Sequence, residues 1–198
     1  MNRFQSIFLG FSIILLLSLP ISRAFIESTM VGTMLVQFPL LLFGGYHIGK
    51  GLPEKSQKLI QHYNENGLAG ILLTVFIVGY WCLPRSIDAA LNAPLMEFAK
   101  YTSLSFLAGI SLYHSWRSLG PISKAFIWTN GLSMIFVMSW LYWVSPVRLC
   151  NNYLVTAQQQ LGKSLFAVGL FISICIVVRP FIGKQNPNVR FFSQELNN

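Results

Sequence analysis

The sequence predicts an all-α protein, a polytopic membrane helix bundle with six transmembrane helices. Composition is the first reason: 54% of the residues are hydrophobic and only 10% are charged, whereas a soluble domain has about 25% charged residues. The second reason is that the charges lie between long apolar runs, several of which approach the roughly 20 residues of a membrane span. Helices are expected because lipid offers no hydrogen-bond partners to an open backbone.

Six apolar segments follow one another along the chain and define the predicted spans. They cover roughly Phe4–Leu19, Thr29–Gly45, Gly67–Leu83, Tyr101–His114, Ala125–Val144 and Leu165–Val178. Several are shorter than a typical span of roughly 17–25 residues, so their helices should extend into the flanking residues. The pattern indicates no internal repeat and no soluble domain.

The N-terminal segment fits two interpretations. Met1-Asn2-Arg3, a short apolar run and then Ser22-Arg23-Ala24 are typical of a cleavable signal peptide, and the same run suits a first transmembrane helix. Cleavage would leave five spans. The chain is therefore divided into residues 1–24 as a first helix or signal peptide, residues 25–182 as the helix bundle, and residues 183–198 as a polar C-terminal tail.

The basic residues predict the orientation of the bundle. If the N-terminus is cytoplasmic, nine of the 14 lysines and arginines lie on the inner side, as expected for cytoplasmic loops. They are Arg3, Lys50, Lys55, Lys58, Arg117, Lys124, Arg179, Lys184 and Arg190. We expect a multi-pass protein of a bacterial inner membrane with both termini cytoplasmic. The net charge of +8 does not indicate nucleic-acid binding, because these residues do not form one basic face.

The unusual residues gather at the predicted outer ends of the spans. In the second segment Thr29 and Thr33, and likewise Met30 and Met34, are four residues apart and share one helix face. On a metal-binding helix this spacing presents two ligands to one ion. Elsewhere at this level are Cys82, Met96, Glu97, Cys150 and Gln159. A site, if the protein has one, should lie between helices at the outer surface.

Five motifs follow one another from the second span to the sixth. They are Thr29-Met30-Val31-Gly32-Thr33-Met34-Leu35 with Pro39-Leu40-Leu41, Trp81-Cys82-Leu83-Pro84, Met96-Glu97-Phe98-Ala99-Lys100, Phe106-Leu107-Ala108-Gly109, and Gln158-Gln159-Gln160-Leu161-Gly162. In this order the chain resembles the CtaG-type cytochrome c oxidase assembly factors, polytopic membrane proteins linked to copper delivery. Where that family has His-Met pairs this chain has Thr-Met, and where it has Trp-His-x-Pro the histidine is Cys82.

The resemblance implies a non-enzymatic protein that supports maturation of a copper-containing respiratory oxidase, or copper delivery to it, at the outer membrane face. Without the family's histidines the donors available are thioethers and thiols, which suit Cu(I). The predicted metal site is therefore Met30, Met34, Cys82, Met96 and Glu97, with Cys150 and Gln159 at its rim. The lipid bilayer and a membrane complex such as a respiratory oxidase are the expected partners.

Other interpretations of these residues stay open. Methionines fill gaps in helix packing, and threonine hydroxyls in a span commonly bond a backbone carbonyl one turn back. Cys82 and Cys150 are free thiols, a disulfide or metal ligands. The alternative function is a structural or accessory subunit of a membrane complex without metal; a small transporter is a third possibility, disfavoured by the few ionisable residues within spans.

Several further residues carry structural expectations. Glu97 is expected to pair with Lys100, three residues on, or with Arg85 or Arg148. Asn130 lies inside the fifth span and is expected to tie two helices together, because a buried amide needs partners. The histidines, which are His47, His62 and His114, are interpreted as interfacial polar residues. No pairing of nucleophile and base or of two carboxylates indicates catalysis.

Overall fold

The computed structural model describes residues 3–182, and within this range the chain is helical, with short connections and no strand. The α-helices are α1 (Arg3–Ser18), α2 (Pro20–Glu27), α3 (Phe38–Gly51), α4 (Glu54–Tyr63), α5 (Leu68–Trp81), α6 (Pro84–Asn92), α7 (Pro94–Thr102), α8 (Ile110–Ser118), α9 (Pro121–Val144) and α10 (Val155–Ile182). Two π-helical segments, π1 (Gly32–Gln37) and π2 (Ser103–Gly109), precede α3 and α8. The predicted tail, residues 183–198, lies outside the described residues.

The same order of elements occurs twice. In residues 3–51 a long helix (α1) bends by 70° into a short helix (α2), and a helix containing a π segment follows. In residues 68–118 α5 bends by 73° into α6, and again a helix with a π segment follows. Both bends occur at a Leu-Pro-x-Ser motif, at Leu19 and at Leu83. We call these ranges the first unit and the second unit.

A second shared motif ends each unit, although the chain has no repeat of fixed period. The first unit ends with Tyr46-His47, two residues, Lys50, and the second with Tyr113-His114, two residues, Arg117. The bend motifs and the Tyr-His motifs are not separated by one constant interval, and the residues between them differ. Only the order of helices and bends makes the correspondence visible.

The two units cross at glycines. A Cβ on Gly45 would overlap the carbonyl oxygen of Ser105, and a Cβ on Gly109 would lie 2.7 Å from the Cα of Gly45. Beside this crossing, the rings of Tyr46 and Tyr113 meet edge to face at 5.1 Å. These tyrosines are equivalent in the two units, and contact between equivalent residues is expected close to a twofold axis.

The bundle has two chemically different ends. At one end Arg3 forms an ion pair with Glu54 beside the end of α3; we call this the Glu54 end. At the other, the hydroxyl of Tyr101 donates to the carbonyl of Leu17 at the end of α1, close to Glu27; we call this the Glu27 end. The long helices alternate in direction between these two ends.

The α9–α10 hairpin is the last part of the fold. Gly162 lies against the backbone of Trp143, and the hydroxyl of Ser139 donates to the carbonyl of Gly162 at 2.8 Å. The hairpin joins the rest of the bundle at the Glu27 end, where the hydroxyl of Tyr142 donates to the carbonyl of Cys82 at 3.1 Å. Much of α9 is consequently exposed.

Length and composition make the protein a membrane protein, although they do not establish six spans. Among the described residues Pro121–Val144 and Val155–Arg179 are long and apolar enough to cross a membrane, and the count rises to four if each bent pair is one span. The π segments divide the second and fourth predicted spans into shorter α-helices, and the Leu-Pro bends end α1 at Ser18 and α5 at Trp81, close to the predicted ends of the first and third spans. The predicted extension into flanking residues is confirmed for the last two segments, since α9 begins at Pro121 and α10 at Val155, but α5 does not extend beyond Gly67–Leu83.

Candidate functional site

Five sulfur-bearing side chains belong to one apolar cluster near the Glu27 end or pack against it: Met30, Met34, Cys82, Met138 and Cys150. Met30 is fully buried, Met34 is almost so, Cys150 is 1% exposed, and Cys82, directly after α5, packs against the cluster that contains them. Trp81 is part of the same cluster. The structure thus places residues from π1 and the turn before it, from the end of α5 and from the segment after α9 in one cluster, which we call the sulfur cluster.

The cysteines are not bonded to one another. Cys82, Cys150 and Cys175 are all free thiols in the structure. Cys150 was expected at the rim but lies inside the cluster, where its Sγ donates to the carbonyl of Pro84 at 3.6 Å. Gln158 rather than Gln159 is the buried glutamine next to it, accepting from the backbone N–H of Leu149 at 3.0 Å.

Two predicted site residues lie apart from the sulfur cluster. Met96 is half-buried on α7 and is not packed into the cluster. Glu97 pairs with the guanidinium of Arg23 at 2.7 Å, which corrects the expected pairing with Lys100, Arg85 or Arg148. The reason is the bend after α1, because it turns α2 toward α7 and so presents Arg23 to Glu97.

A buried lysine is the centre of the polar structure beside the cluster. Lys100 is 1% exposed, and its ammonium group donates to Glu27 at 2.7 Å and to the side-chain oxygen of Gln37 at 3.1 Å. The amide of Gln37 donates in turn to Glu27 at 2.9 Å and to the hydroxyl of Tyr101 at 2.8 Å. A buried charge without such partners costs several kcal/mol, and these contacts offset that cost for the ammonium group of Lys100.

The ion network is electrically balanced. Arg23 contacts both Glu27, at 3.0 Å, and Glu97, at 2.7 Å, so two cations, Arg23 and Lys100, face two carboxylates. We call these four residues with Gln37 and Tyr101 the ion network. It connects α2, π1 and α7, and it therefore holds the segment that carries Met30 and Met34 against the second unit.

The π1 segment positions the Thr-Met pairs. Thr29 accepts a hydrogen bond from the backbone N–H of Gly32 at 3.1 Å, and the hydroxyl of Thr33 bonds the carbonyl of Thr29 at 3.3 Å. The second contact confirms the expected bond one turn back. Pro39 follows π1; proline lacks an N–H and its ring crowds the carbonyl four residues earlier, which a widened turn relieves. The π2 segment contains no proline and needs a different explanation.

The loop between α9 and α10, residues 145–154, closes over the sulfur cluster. The carboxylate of Asp88 accepts from the backbone N–H groups of Asn151 at 2.7 Å and Asn152 at 3.1 Å. The hydroxyl of Tyr153 donates to the carbonyl of Glu27 at 2.8 Å and lies 2.9 Å from the hydroxyl of Thr33. The loop is thus fixed to both units.

The chemistry of the loop thiol follows from its surroundings. Burial and the nearby carboxylate of Asp88 raise the pKa of the Cys150 thiol to about 12. At neutral pH this thiol is protonated. A cation that took Cys150 as a ligand would have to displace that proton, which makes binding stronger at higher pH.

Sequence reasoning missed two of the acids that organise this end. Glu27 and Asp88 were not singled out, although the chain has only six acidic residues and Asp88 is its one aspartate. Their position beside apolar runs, away from the polar segment that holds Glu54 and Glu65, was the signal that could have found them.

A groove opens beside the ion network, between α1 and α7. Its volume is about 340 Å³, and it is lined by Ile14, Ser18, Pro94, Glu97, Phe98, Tyr101, Thr102 and Phe106. Its walls are mainly apolar, and Glu97 and Tyr101 face it from the network. The groove is therefore a continuation of the network toward the lipid-exposed surface.

Comparisons with known proteins give no relative for this arrangement. No family model, curated protein or solved structure matches the chain. Within the part of the chain that the structure describes, no three His, Cys, Asp or Glu side chains are grouped so as to hold a metal ion. A metal at the sulfur cluster would thus depend on the thioethers of Met30 and Met34.

Proposed function

We propose that this is a multi-pass membrane protein that supports maturation of a copper-containing respiratory oxidase by holding Cu(I), as cargo, at its outer end. The observation that carries the proposal is that Met30 and Met34 lie in the buried core of one apolar cluster and Cys82, from a distant part of the sequence, packs against the same cluster. Two thioethers and a thiol are soft donors of the kind that Cu(I) prefers. The resemblance to CtaG-type assembly factors suggests the oxidase as recipient.

The ligand set we propose is narrower than the one expected from the sequence. Met96 lies outside the sulfur cluster, and Glu97 is engaged by Arg23. We therefore assign Glu97 to the ion network, where it positions α2, and leave Cu(I) to Met30, Met34 and Cys82. Cys150, packed in the same cluster, is an additional ligand that can bind Cu(I) once its thiol has lost its proton.

We further propose six spans with the Glu54 end in the cytoplasm. Residues 30–51 and 94–118 are helical without a break, through their π segments, and each is long enough to cross about 30 Å at 1.5 Å per residue. Basic residues are concentrated at the Glu54 end, which favours a cytoplasmic location in a bacterial inner membrane. They include Arg3, Lys50, Lys55, Lys58, Arg117 and Lys124.

Copper stoichiometry after purification under reducing conditions tests the proposal. The wild-type chain loaded with Cu(I) should retain the metal, and the triple variant Met30→Leu/Met34→Leu/Cys82→Ala should lose it. Leucine has nearly the volume of methionine, so the packing cost is small. The matched control is Met134→Leu/Cys175→Ala, which removes an exposed methionine and an exposed thiol outside the cluster. Equal copper retention in both variants would contradict the proposal.

The second candidate is a metal-free accessory subunit of a membrane complex. It is favoured by the complete burial of Met30 among apolar side chains, which is how methionine acts as a packing residue. Isolation in mild detergent separates the two functions. An accessory subunit would be recovered with its complex in equal yield from the wild type and the triple variant, without copper in either.

A further inference from the structure

The fifth predicted span carries an exposed stripe that no other part of the described chain covers. Its residues are Phe126, Asn130, Ser133, Val137, Trp140 and Val144, all exposed. They are spaced alternately by four and three residues, which is the spacing of a seam between two parallel helices. The helix that carries them, α9, is one of the two clearest candidate spans.

The stripe points away from the bundle. The buried residues of α9 are Ser139 and Tyr142, and they bond Gly162 and Cys82. At 3.6 residues per turn, Ser139 and Tyr142 lie on the side of α9 opposite to Asn130 and Val137. Neither α10 nor the two units can therefore cover the stripe.

Asn130 makes the stripe different from an ordinary lipid-facing surface. Its side chain is exposed and has no hydrogen bond within residues 3–182, which corrects the expectation that it ties two helices of this chain together. It lies ten residues into a helix of 24, at the depth of the hydrocarbon core. Its neighbour Thr129 satisfies its own hydroxyl through the carbonyl of Ala125 at 3.0 Å. Lipid offers an amide no partner, and leaving it unpaired costs several kcal/mol.

We propose that this stripe is the docking surface for the same stripe of a second copy of the chain. The carboxamide of Asn130 has both donors and an acceptor, so it complements itself across a twofold axis. Two copies inserted in the same orientation place Asn130 at the same depth, and their α9 helices run parallel. Ser133, one turn on, is small enough for close approach of the helices.

The charges of α9 agree with this assignment. Lys124, the one charged residue of α9, lies over the ring of Trp116 at 5.8 Å rather than along the stripe. The stripe therefore presents one amide, one hydroxyl and otherwise apolar side chains. A second copy gives Asn130 a hydrogen-bond partner and the apolar side chains an apolar surface, because it carries the same amide at the same position.

Subunit counting by single-molecule photobleaching in liposomes tests the proposal. The wild-type chain should dimerise, and Asn130→Leu should raise the dissociation constant by about three- to tenfold, the effect of one interhelical polar contact in a membrane. Asn130→Gln retains the amide and should stay within about twofold of the wild type. Thr129→Val, which removes a hydroxyl already bonded within its own helix, is the matched control and should have no effect.

Crosslinking provides a second measurement that does not depend on affinity. In a Cys175→Ala background, Ser133→Cys should form a disulfide-linked dimer under mild oxidation, and Phe171→Cys, exposed on α10, should not. A monomeric wild type, an unchanged dissociation constant in Asn130→Leu, or equal crosslinking at both positions would overturn the proposal. So would a monomeric chain whose Asn130 is required to retain a different membrane protein.

Discussion

At the residue scale the ion network has most consequence, because it places an ammonium group in a site that water hardly reaches. Lys100 is nearly fully buried and is held by Glu27 and Gln37. A buried ion pair contributes little net stability by itself, yet removing one partner leaves the other charge uncompensated. The network therefore specifies how α2 docks on α7, because only in this arrangement do the charges of Glu27 and Lys100 both have a partner.

Replacing Lys100 by methionine tests the network. We expect Lys100→Met to lower the free energy of unfolding by about 3–5 kcal/mol, because the carboxylate of Glu27 loses its main counter-charge. Lys163→Met, at an exposed lysine of α10, should change it by no more than about 0.5 kcal/mol. Unfolding of the protein in detergent micelles measures both.

A double variant separates charge from packing. Lys100→Met/Glu27→Gln removes the uncompensated carboxylate and should cost less than the sum of the two single substitutions. Strict additivity would show that the two side chains do not interact in the folded protein.

Reactivity of Cys150 is the second prediction at this scale. With Cys82 and Cys175 replaced by alanine, a hydrophilic maleimide at pH 8 should label the folded protein very slowly, because a thiol with a pKa of about 12 is only about one part in ten thousand thiolate. Unfolding in dodecyl sulfate should make labelling fast. Rapid labelling of the folded protein at pH 8 would contradict the burial.

The raised pKa of the Cys150 thiol also makes the stability of the folded protein depend on pH. The folded state disfavours the thiolate. The stability that the protonated Cys150 thiol contributes is therefore complete below the ordinary pKa of about 9 and is lost as the pH rises toward about 12. Cys150→Ala should remove this alkaline part of the pH dependence. Thermal unfolding of the wild type and of the variant across this pH range measures it.

At the element scale the proline bends and the glycine crossing decide how the helices meet. Both bends follow a Leu-Pro sequence, where proline fixes the first turn of the next helix and cannot continue the previous one. The bends lay α2 and α6 across the Glu27 end, where α2 supplies Arg23 and Glu27 and α6 supplies Asp88. The crossing of the two units depends instead on Gly45 and Gly109.

Adding one methyl group at the crossing should therefore be costly. Gly45→Ala is expected to destabilise the protein by about 1–3 kcal/mol, because the new Cβ overlaps the backbone of Ser105. Gly131→Ala in α9 meets nothing within 4 Å and should stabilise it by about 0.5–1 kcal/mol through helix propensity. The midpoint of thermal unfolding in detergent distinguishes opposite signs directly.

Sequence reasoning reached the helices more easily than the contacts between them. The apolar runs predicted the α9 helix to its last residue, Val144, because hydrophobicity in a span is a local property. The partner of Glu97 was missed because it depends on a 70° bend, which no periodicity encodes. Of the predicted ligands, Met30, Met34 and Cys82 belong to or pack against one apolar cluster, and Met96 is not part of it; the metal site itself stays a prediction.

At the scale of the whole molecule the distribution of charge predicts how the protein lies in the membrane. The Glu54 end carries most of the basic residues, and the loop of residues 145–154 lies at the opposite end. We expect a cysteine at Ser56, in α4, to react with an impermeant maleimide only after the membrane is opened. A cysteine at Val147, which is 62% exposed, should react in intact cells.

These two labels also test the number of spans. The cysteines at Ser56 and Val147 should always be labelled from opposite sides of the membrane, because three predicted spans lie between α4 and the loop after α9. Labelling of both positions from one side would show that at least one of the predicted crossings does not occur.

The recurrence of a bent helix pair and a π-containing helix has a consequence for the origin of the protein. A polypeptide with the length of one unit that paired with itself through one glycine-lined helix would give a similar central contact, and joining two such genes would make the pair permanent. After fusion each half is free to diverge. The methionine pair of Met30 and Met34 lies in the first unit only, and such a difference between the units is what divergence after a fusion of this kind would produce.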